Sequence, residues 1–398
     1  MKRETQSASD AGRLTPLSSA QGGRWIRSGQ RLLRCGYTTG TCAALAAFAA
    51  ARLLLAGERM ETVRLVTPKG VAVEVPLAVC EEDGETARCA VRKDAGDDPD
   101  VTDGCLVCAA VRRAPHGVAI DGGEGVGRVT RPGLDQPVGA AAINTVPRRM
   151  IREAVEAVCA EADYDGGLSV VISVPEGALL AKKTFNPYLG VEGGISILGT
   201  SGIVEPMSDQ AIVDTVQTEL RQRRAEGALR VILTPGNYGL TFLEANGYGA
   251  LGVPCVRCSN FLGDALDLAV MQGFSEALLV GHIGKLVKLA GGVMNTHSKW
   301  ADCRAELFCA HAALCGAGTA DCRRLMDAAT ADACIAILDE AGLRGPVMNS
   351  LLDAIQRHLD RRAGEKLRVG AVVFSNEYGP LGETASARAI LRDWRERA

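Results

Sequence analysis

One segment restricts the fold more than any other: CGYTTGTCAALAAFAAARLLLAGE, from Cys35 to Glu58. Strong helix formers fill Ala43 to Ala56, and Gly57 is well placed to end the helix. Directly before it stand Thr38, Thr39 and Thr41 with Gly36 and Gly40. That is more capping chemistry than an ordinary surface helix uses. Two readings follow. A helix N-terminus carries unpaired N–H groups and the positive end of its dipole, so hydroxyls and approachable glycines there would receive an anion. Alternatively, the excess simply caps the helix several times over inside the fold.

After Gly57 the pattern alternates with period two in TVRLVTP, VAVEVPL, ARCAVRK and GCLVCAAV, separated by the turn-rich EEDGE and DAGDDPD. This predicts a mostly antiparallel sheet. A helix starts in NTVPRRMIREAVEAVCAEA, with Pro147 in its first turn, and LSVVISV is another strand. From about Leu229 the rhythm changes. LRVILTPG, VPCVRCS, EALLVGHIG and LRVGAVVFS alternate with longer helical patterns, as βα units on a parallel sheet do. Ser298 to about Gly364 reads as three successive helices inserted before the last strand.

The 398 residues are too many for one small domain. Residues 1–33 are polar and rich in Ser, Gly and Gln, and are expected to be a disordered tail. Residues 34–226 are expected to form an α+β domain, a mostly antiparallel sheet with helices. Residues 227–398 are expected to form an α/β domain with a mainly parallel, Rossmann-like, three-layer sheet and the helical insertion 298–364. Plentiful glycine and scarce aromatics suit such an enzyme.

A net charge of −3 gives no general attraction to nucleic acid or to an anionic membrane. The tail lacks the apolar core of a secretory signal, and no later stretch reads as apolar long enough to span a bilayer. A cytoplasmic protein is expected, with its fourteen cysteines as reduced thiols. Cys105/Cys108 and Cys255/Cys258 are C-x-x-C pairs that invite a zinc site. Both lie in strand-like runs, where residues three apart point to opposite faces, and neither has a glycine-rich knuckle. Buried reduced cysteine is the better reading.

Loops after parallel strands are where ligands are expected. Four follow strand-like runs: GTSG (Gly199–Gly202), which could instead belong to the first domain, TPGNYG (Thr234–Gly239), GHIGK (Gly281–Lys285) and SNEYG (Ser375–Gly379). None is a complete dinucleotide or Walker A motif. DGGEGVGRVTRPGL sets Arg128 and Arg131 beside dense glycine, INTVPRRM adds Arg148 and Arg149, and AKKTFNP adds Lys182 and Lys183. Each pair alone reads as a solvated face; together, beside glycine-rich loops, they fit a ligand with many negative charges. GHIGKLVKLAGGVMNTHSKWADCRAE is the densest polar region. Its His297 is either a structural cap or a proton-transfer group, because histidine titrates near neutrality.

These motifs, in this order, resemble the CbiD family of cobalt-precorrin-5B methyltransferases. The resemblance runs from about Arg34 to about Glu383 and is carried by GYTTGTCAA, GGEGVGRVTRPGL, AINTVPRRMI, VPEGALLAKKTFNPYLGVEGGISILGTSGIVEPMS, TPGNYG, CSNFLGDALDLA, the NTHSK region and SNEYG. Phe48, Cys105, Cys108 and Trp300 look particular to this chain. The resemblance implies methyl transfer from S-adenosylmethionine to carbon 1 of a cobalt corrinoid, giving cobalt-precorrin-6A in anaerobic cobalamin biosynthesis. Cobalt then arrives inside the substrate, and no protein metal site is required. Thr38, Thr39, Thr41, Arg128, Arg131, Arg148, Arg149, Lys182 and Lys183 become candidates for the carboxylates of the macrocycle rim, and His297 for a proton acceptor. By the general α/β rule, Gly236, Asn237, Tyr238, Gly281, His282 and Gly284 are candidates for the cofactor. The small corrinoid is the expected partner; a homo-oligomer and transient contact with neighbouring pathway enzymes are allowed by the sequence. The alternative is a non-catalytic corrinoid carrier using the same cradle.

Overall fold

The computed structural model describes residues 17–18, 24–28 and 30–397, which fall into two compact units divided between Ser208 and Asp209. The first opens with β1 (Leu17–Ser18), β2 (Trp25–Ser28), β3 (Arg31–Arg34) and β4 (Gly36–Tyr37). Of the stretch read as a disordered tail, residues 1–16, 19–23 and 29 lie outside the described residues. Trp25–Ser28 departs from that reading: it pairs antiparallel with Arg31–Arg34, Trp25 opposite Arg34 and Ile26 opposite Leu33. A polar composition hid two facing apolar residues.

Helix α1 (Thr39–Ala56) is followed by β5 (Thr62–Val66), β6 (Ala72–Glu82), β7 (Thr86–Arg92), β8 (Leu106–Ala114), β9 (Val118–Gly122) and β10 (Arg128–Val129). Then come α2 (Thr145–Glu161), β11 (Gly167–Ser173), α3 (Gly177–Ala181), β12 (Val191–Glu192) and β13 (Ile203–Val204). The main sheet has the order β1-β6-β7-β8-β11-β9, with β5 also on β6. Its pairs from β5 to β11 are antiparallel, while β1 on β6 and β9 on β11 are parallel. Helix α1 packs on β7 and β8 and against α2. Fourteen of its 18 residues are buried, because alanines on every side let both neighbours approach. It is also long and apolar enough to cross a bilayer, contrary to the sequence reading, but 78% of that window is buried inside the fold. Helix α2 buries Pro147, Met150, Ile151, Ala154, Val155 and Val158, a single face with three- and four-residue spacing.

The second unit contains α4 (Asp209–Ala225), β14 (Arg230–Thr234), α5 (Asn237–Ala245), β15 (Cys255–Arg257), α6 (Leu262–Met271), β16 (Glu276–His282) and α7 (Ile283–Leu286). It continues with α8 (Arg304–Leu314), α9 (Thr319–Met326), α10 (Ala331–Glu340), α11 (Arg344–Ala363), β17 (Arg368–Ser375), β18 (Gly379–Glu383) and α12 (Ala385–Glu396). The sheet order is β15-β14-β16-β17-β18. The first four strands are parallel and β18 is an antiparallel edge. Alternate residues of β16 feed different cores: Ala277 and Leu279 pack with α6 and α11, Leu278 and Val280 with α5 and α12.

Three details differ from expectation. The division falls at 208/209 rather than 226/227, since Val216 and Leu220 of α4 pack into the second unit's core. The insertion holds four helices, α8 to α11, not three. Strand β18 was not foreseen: Gly379, Pro380 and Gly382 blur its alternation, as suits an edge strand.

Candidate functional site

The threonines at the start of α1 form a closed relay. Thr38 is the N-cap, and its Oγ1 accepts from Thr41 N at 3.2 Å. Thr41 Oγ1 donates to Gly202 O at 2.7 Å and lies 3.2 Å from Thr38 Oγ1. A hydroxyl has one proton, so Thr38 must donate to Thr41 and Thr41 to Gly202. Thr39 Oγ1 accepts from Leu198 N at 2.9 Å and donates back to Leu198 O at 3.4 Å. Thr39 and Thr41 are only 5% and 0% exposed. This corrects the anion reading for those two: their hydroxyls hold the 198–202 loop on α1. The GTSG loop therefore belongs to the first unit and does not follow a strand of the parallel sheet.

The glycine-rich segments serve close backbone packing. Gly125 (φ +70°) lies against Val174 O, and Gly177 and Gly194 lie against Gly125 O, each too near for a Cβ. Ile195 N donates to Gly125 O and Gly127 N to Ile195 O, both at 2.9 Å. The basic residues around this weave separate into two kinds. Arg148 is half-buried and donates to three carbonyls, Ile143 O and Ile120 O at 2.8 Å and Ala141 O at 3.3 Å. Burial lowers its pKa, and its guanidinium is committed to the chain, which corrects its assignment to the substrate. Arg128 forks onto Asp121 at 2.7 and 2.9 Å, and this pairing holds the Asp121 carboxyl below its usual range. Arg131 Nη1 lies 3.4 Å from Tyr188 O, and Arg149 lies 3.8 Å from Glu153. Lys182 and Lys183 are exposed and have no side-chain partner among the described residues. Beside them Phe185 and Tyr188 are 46% and 74% exposed, with ring centroids 6.5 Å apart. Large exposed rings are unusual in a chain with so few aromatics.

In the second unit, the loops after β14, β16 and β17 meet at the carboxyl edge of the sheet. Lys285 Nζ donates to Pro235 O at 3.2 Å, tying GHIGK to TPGNYG. Burial lowers the Lys285 pKa. The Tyr238 and His282 rings are 6.4 Å apart, and Arg257 Nη1 lies 3.4 Å from Asn237 Oδ1. Gly281 leaves room for Leu286 and Pro235, which a Cβ would meet at 3.0 and 3.2 Å. His282 Nδ1 accepts from Gly284 N at 3.1 Å, so its neutral ring carries the proton on Nε2. That Nε2 is 3.8 Å from Asp332 Oδ2, and Ser375 Oγ donates to Asp332 Oδ1 at 2.6 Å. Burial lowers the His282 pKa, with Asp332 opposing. Of the six expected cofactor residues, Asn237, Tyr238, His282 and Gly284 enter this contact set directly. Gly236 is the N-cap of α5 and leaves open space around its Cα.

Sequence reasoning missed Asp332. It lies in a stretch with only helical periodicity, and nothing local marks its side chain. Ser375 opens SNEYG, one of the four loops singled out, yet its partner could not be read.

His297 lies apart from this contact set: no hydrogen bond or ring contact among the described residues joins them. It is exposed, and its Nδ1 accepts from Lys299 N at 3.0 Å, which again puts the neutral ring's proton on Nε2. Beneath this loop, buried Lys288 donates to Thr296 O at 3.1 Å and Ala301 O at 2.8 Å. Burial pushes the Cys105 thiol to about 11 and the Cys255 and Cys258 thiols to about 12. They are therefore protonated thiols at neutral pH. No cluster of three or more metal-ligating side chains occurs among the described residues.

Comparison with known proteins gives the chain a family. A model described as CbiD matches residues 26–206, and one described as the CbiD C-terminal domain matches 295–385. A protein of Ruminiclostridium cellulolyticum named cobalt-precorrin-5B C(1)-methyltransferase is 46% identical over 351 residues, covering 88% of this chain and 91% of that protein. The chain belongs to the CbiD family. Proteins of the same name from Alkaliphilus metalliredigens and Moorella thermoacetica are 41% and 43% identical and cover 92% and 91% of the chain, and 97% and 98% of their own lengths. A crystal structure of the cobalamin biosynthesis protein cbiD from Archaeoglobus fulgidus is 30% identical, covers 70% of this chain and 86% of that one, and superposes with a TM-score of 0.38. The first CbiD match takes in Thr38 to Lys183, and the second takes in His297, Asp332 and Ser375. Gly236 to Gly284 lie between the two CbiD matches.

Proposed function

We propose that the chain is an S-adenosylmethionine-dependent methyltransferase acting on carbon 1 of cobalt-precorrin-5B, giving cobalt-precorrin-6A in anaerobic cobalamin biosynthesis. The observation that carries this reading is the 46% identity, over 88% of the chain, to a protein bearing that name. The corrinoid is its small-molecule partner, the cytoplasm its setting, and cobalt enters as part of the substrate.

The first unit takes the corrinoid. Arg131, Arg149, Lys182 and Lys183 are exposed cations for rim carboxylates, Arg128 joins them by exchanging Asp121 for a substrate carboxylate, and the exposed Phe185 and Tyr188 rings offer apolar faces beside the two lysines. Thr38 is half-buried and its one proton goes to Thr41 Oγ1, so it joins Thr39, Thr41 and Arg148 in shaping the loops behind this group.

The second unit, read as Rossmann-like and three-layered, takes the cofactor. Its chain order reverses between β14 and β16, the kind of switch point at which α/β sheets receive ligands. The donor set there suits S-adenosylmethionine: α5 starts without a side-chain cap, so its first N–H groups suit a carboxylate, and Tyr238 offers an exposed ring. S-adenosylmethionine supplies a methyl group already activated on a sulfonium. The protein's work is then to position the reactants and to exclude water. His297 can accept a proton only by releasing Lys299 N from Nδ1. Replacement by Gln should therefore lower turnover more than affinity if it does so, and unchanged turnover removes it from the mechanism.

Titrating the full chain separately with S-adenosylmethionine and with anaerobic cobalt-precorrin-5B tests the reading. Saturable binding of both is expected. Binding of the corrinoid alone would favour a carrier.

A further inference from the structure

We propose that Asp332 is the ribose-binding residue of the cofactor site, held in place by Ser375 and flanked by His282, with Tyr238 facing the adenine. This rests on the reading that the second unit binds S-adenosylmethionine.

The carboxylate is half fastened. Ser375 Oγ accepts from Glu377 N at 3.0 Å and Tyr378 N at 3.1 Å, so its one proton is left for Asp332 Oδ1, 2.6 Å away. The other oxygen is different. His282 Nε2 lies 3.8 Å from Oδ2, near enough for favourable electrostatics but too far for a hydrogen bond. Oδ2 has no hydrogen bond among the described residues, and the side chain keeps 26% of its surface exposed. His282 cannot rotate freely to close that gap, because its Nδ1 is tied to Gly284 N and its ring stands edge-on to Phe374, 5.7 Å between centroids. The fold thus positions an acceptor oxygen at the mouth of the sheet and leaves it open.

Its neighbours narrow what would fill it. Asp332 touches the ends of β16 and β17, and His282 stands between it and Tyr238 in the first turn of α5, beside the switch point. Tyr238 is 67% exposed, a flat ring without cover. A carboxylate with open lone pairs and an uncovered aromatic ring nearby match the two parts of a nucleoside, vicinal hydroxyls and a flat base. Asp332 comes from α10 in the helical insertion, so that insertion would contribute to the cofactor site and is not only a cover for the sheet.

The test is equilibrium binding of S-adenosylhomocysteine, and of its 2′,3′-dideoxy analogue, to the full chain by calorimetry. For the native chain, removing the hydroxyls should weaken binding roughly tenfold or more, as expected for hydrogen bonds to a charged group. Asp332→Asn should weaken S-adenosylhomocysteine to a similar degree and bind the two ligands alike, so that the losses do not add. Ser375→Ala keeps the carboxylate but frees it, and should show a smaller loss with reduced discrimination. Full discrimination in either variant, or native-like affinity in Asp332→Asn, overturns the proposal. So does a variant that binds both ligands normally but turns over slowly, which would make Asp332 a proton acceptor. If the native chain binds neither ligand, the reading of the second unit fails first.

Discussion

At the scale of single residues, the Thr41 hydroxyl is spent on Gly202 O at 2.7 Å and the Arg148 guanidinium on the carbonyls of Ile143, Ile120 and Ala141. Thr41 and Arg148 are the kinds of residue that bind carboxylates, and the sequence offered no way to see that Gly202 O and three other carbonyls already occupy them. Thr41→Val should therefore cost stability, about 1–3 kcal/mol for the buried group left unpaired, in urea denaturation. Corrinoid affinity should stay unchanged. Lost affinity in a variant as stable as the native chain would return Thr41 to the ligand. The histidines give a pH dependence. Burial holds His282 and His311 below the usual histidine value, so the unfolded chain binds more protons as pH falls through about 6.5. Their contribution is fully present above that value and is lost as pH falls toward the folded pKa values. The melting temperature should drop from pH 7 to 5, and His282→Gln should make the drop shallower. A slope that the variant leaves unchanged would mean that His282 is not held neutral in the fold.

At the scale of elements, periodicity carried most of the fold. The runs TVRLVTP, VAVEVPL, ARCAVRK, GCLVCAAV and LSVVISV became β5, β6, β7, β8 and β11, because alternation reports a half-buried strand directly. Glycine was legible as a marker of tight loops, but not the backbone that each one meets. A Cβ on Gly40 would meet Pro147 Cγ at 2.7 Å and Leu198 O at 2.9 Å, where α1, α2 and the 198–202 loop converge. Gly40→Ala should cost about 1–3 kcal/mol by overpacking. Gly125→Ala should be worse, since a positive φ and the Val174 carbonyl oppose it together. Thermal melts of both variants check the ranking, and a Gly125→Ala chain as stable as the native one would show that the weave can open.

At the scale of the molecule, the two-part organisation was visible as a change of rhythm near Leu229. The rhythm marks where strands change character, but not which core an intervening helix joins. Helix α4 is the example, with Val216 and Leu220 in the second core. A fragment 209–398 should unfold cooperatively by circular dichroism, and a fragment 227–398 should be markedly less stable. Equal stability would put the boundary back at 226. The family resemblance, unlike the fold, was legible almost throughout, because whole motifs rather than spacings carried it. Methyl transfer itself is tested by a single turnover of labelled S-adenosylmethionine with cobalt-precorrin-5B under anaerobic conditions, with the product analysed by mass and NMR. A gain of one methyl group, mapped to carbon 1, is expected; both ligands bound with no methyl moved would mean that the chain is not the methyltransferase.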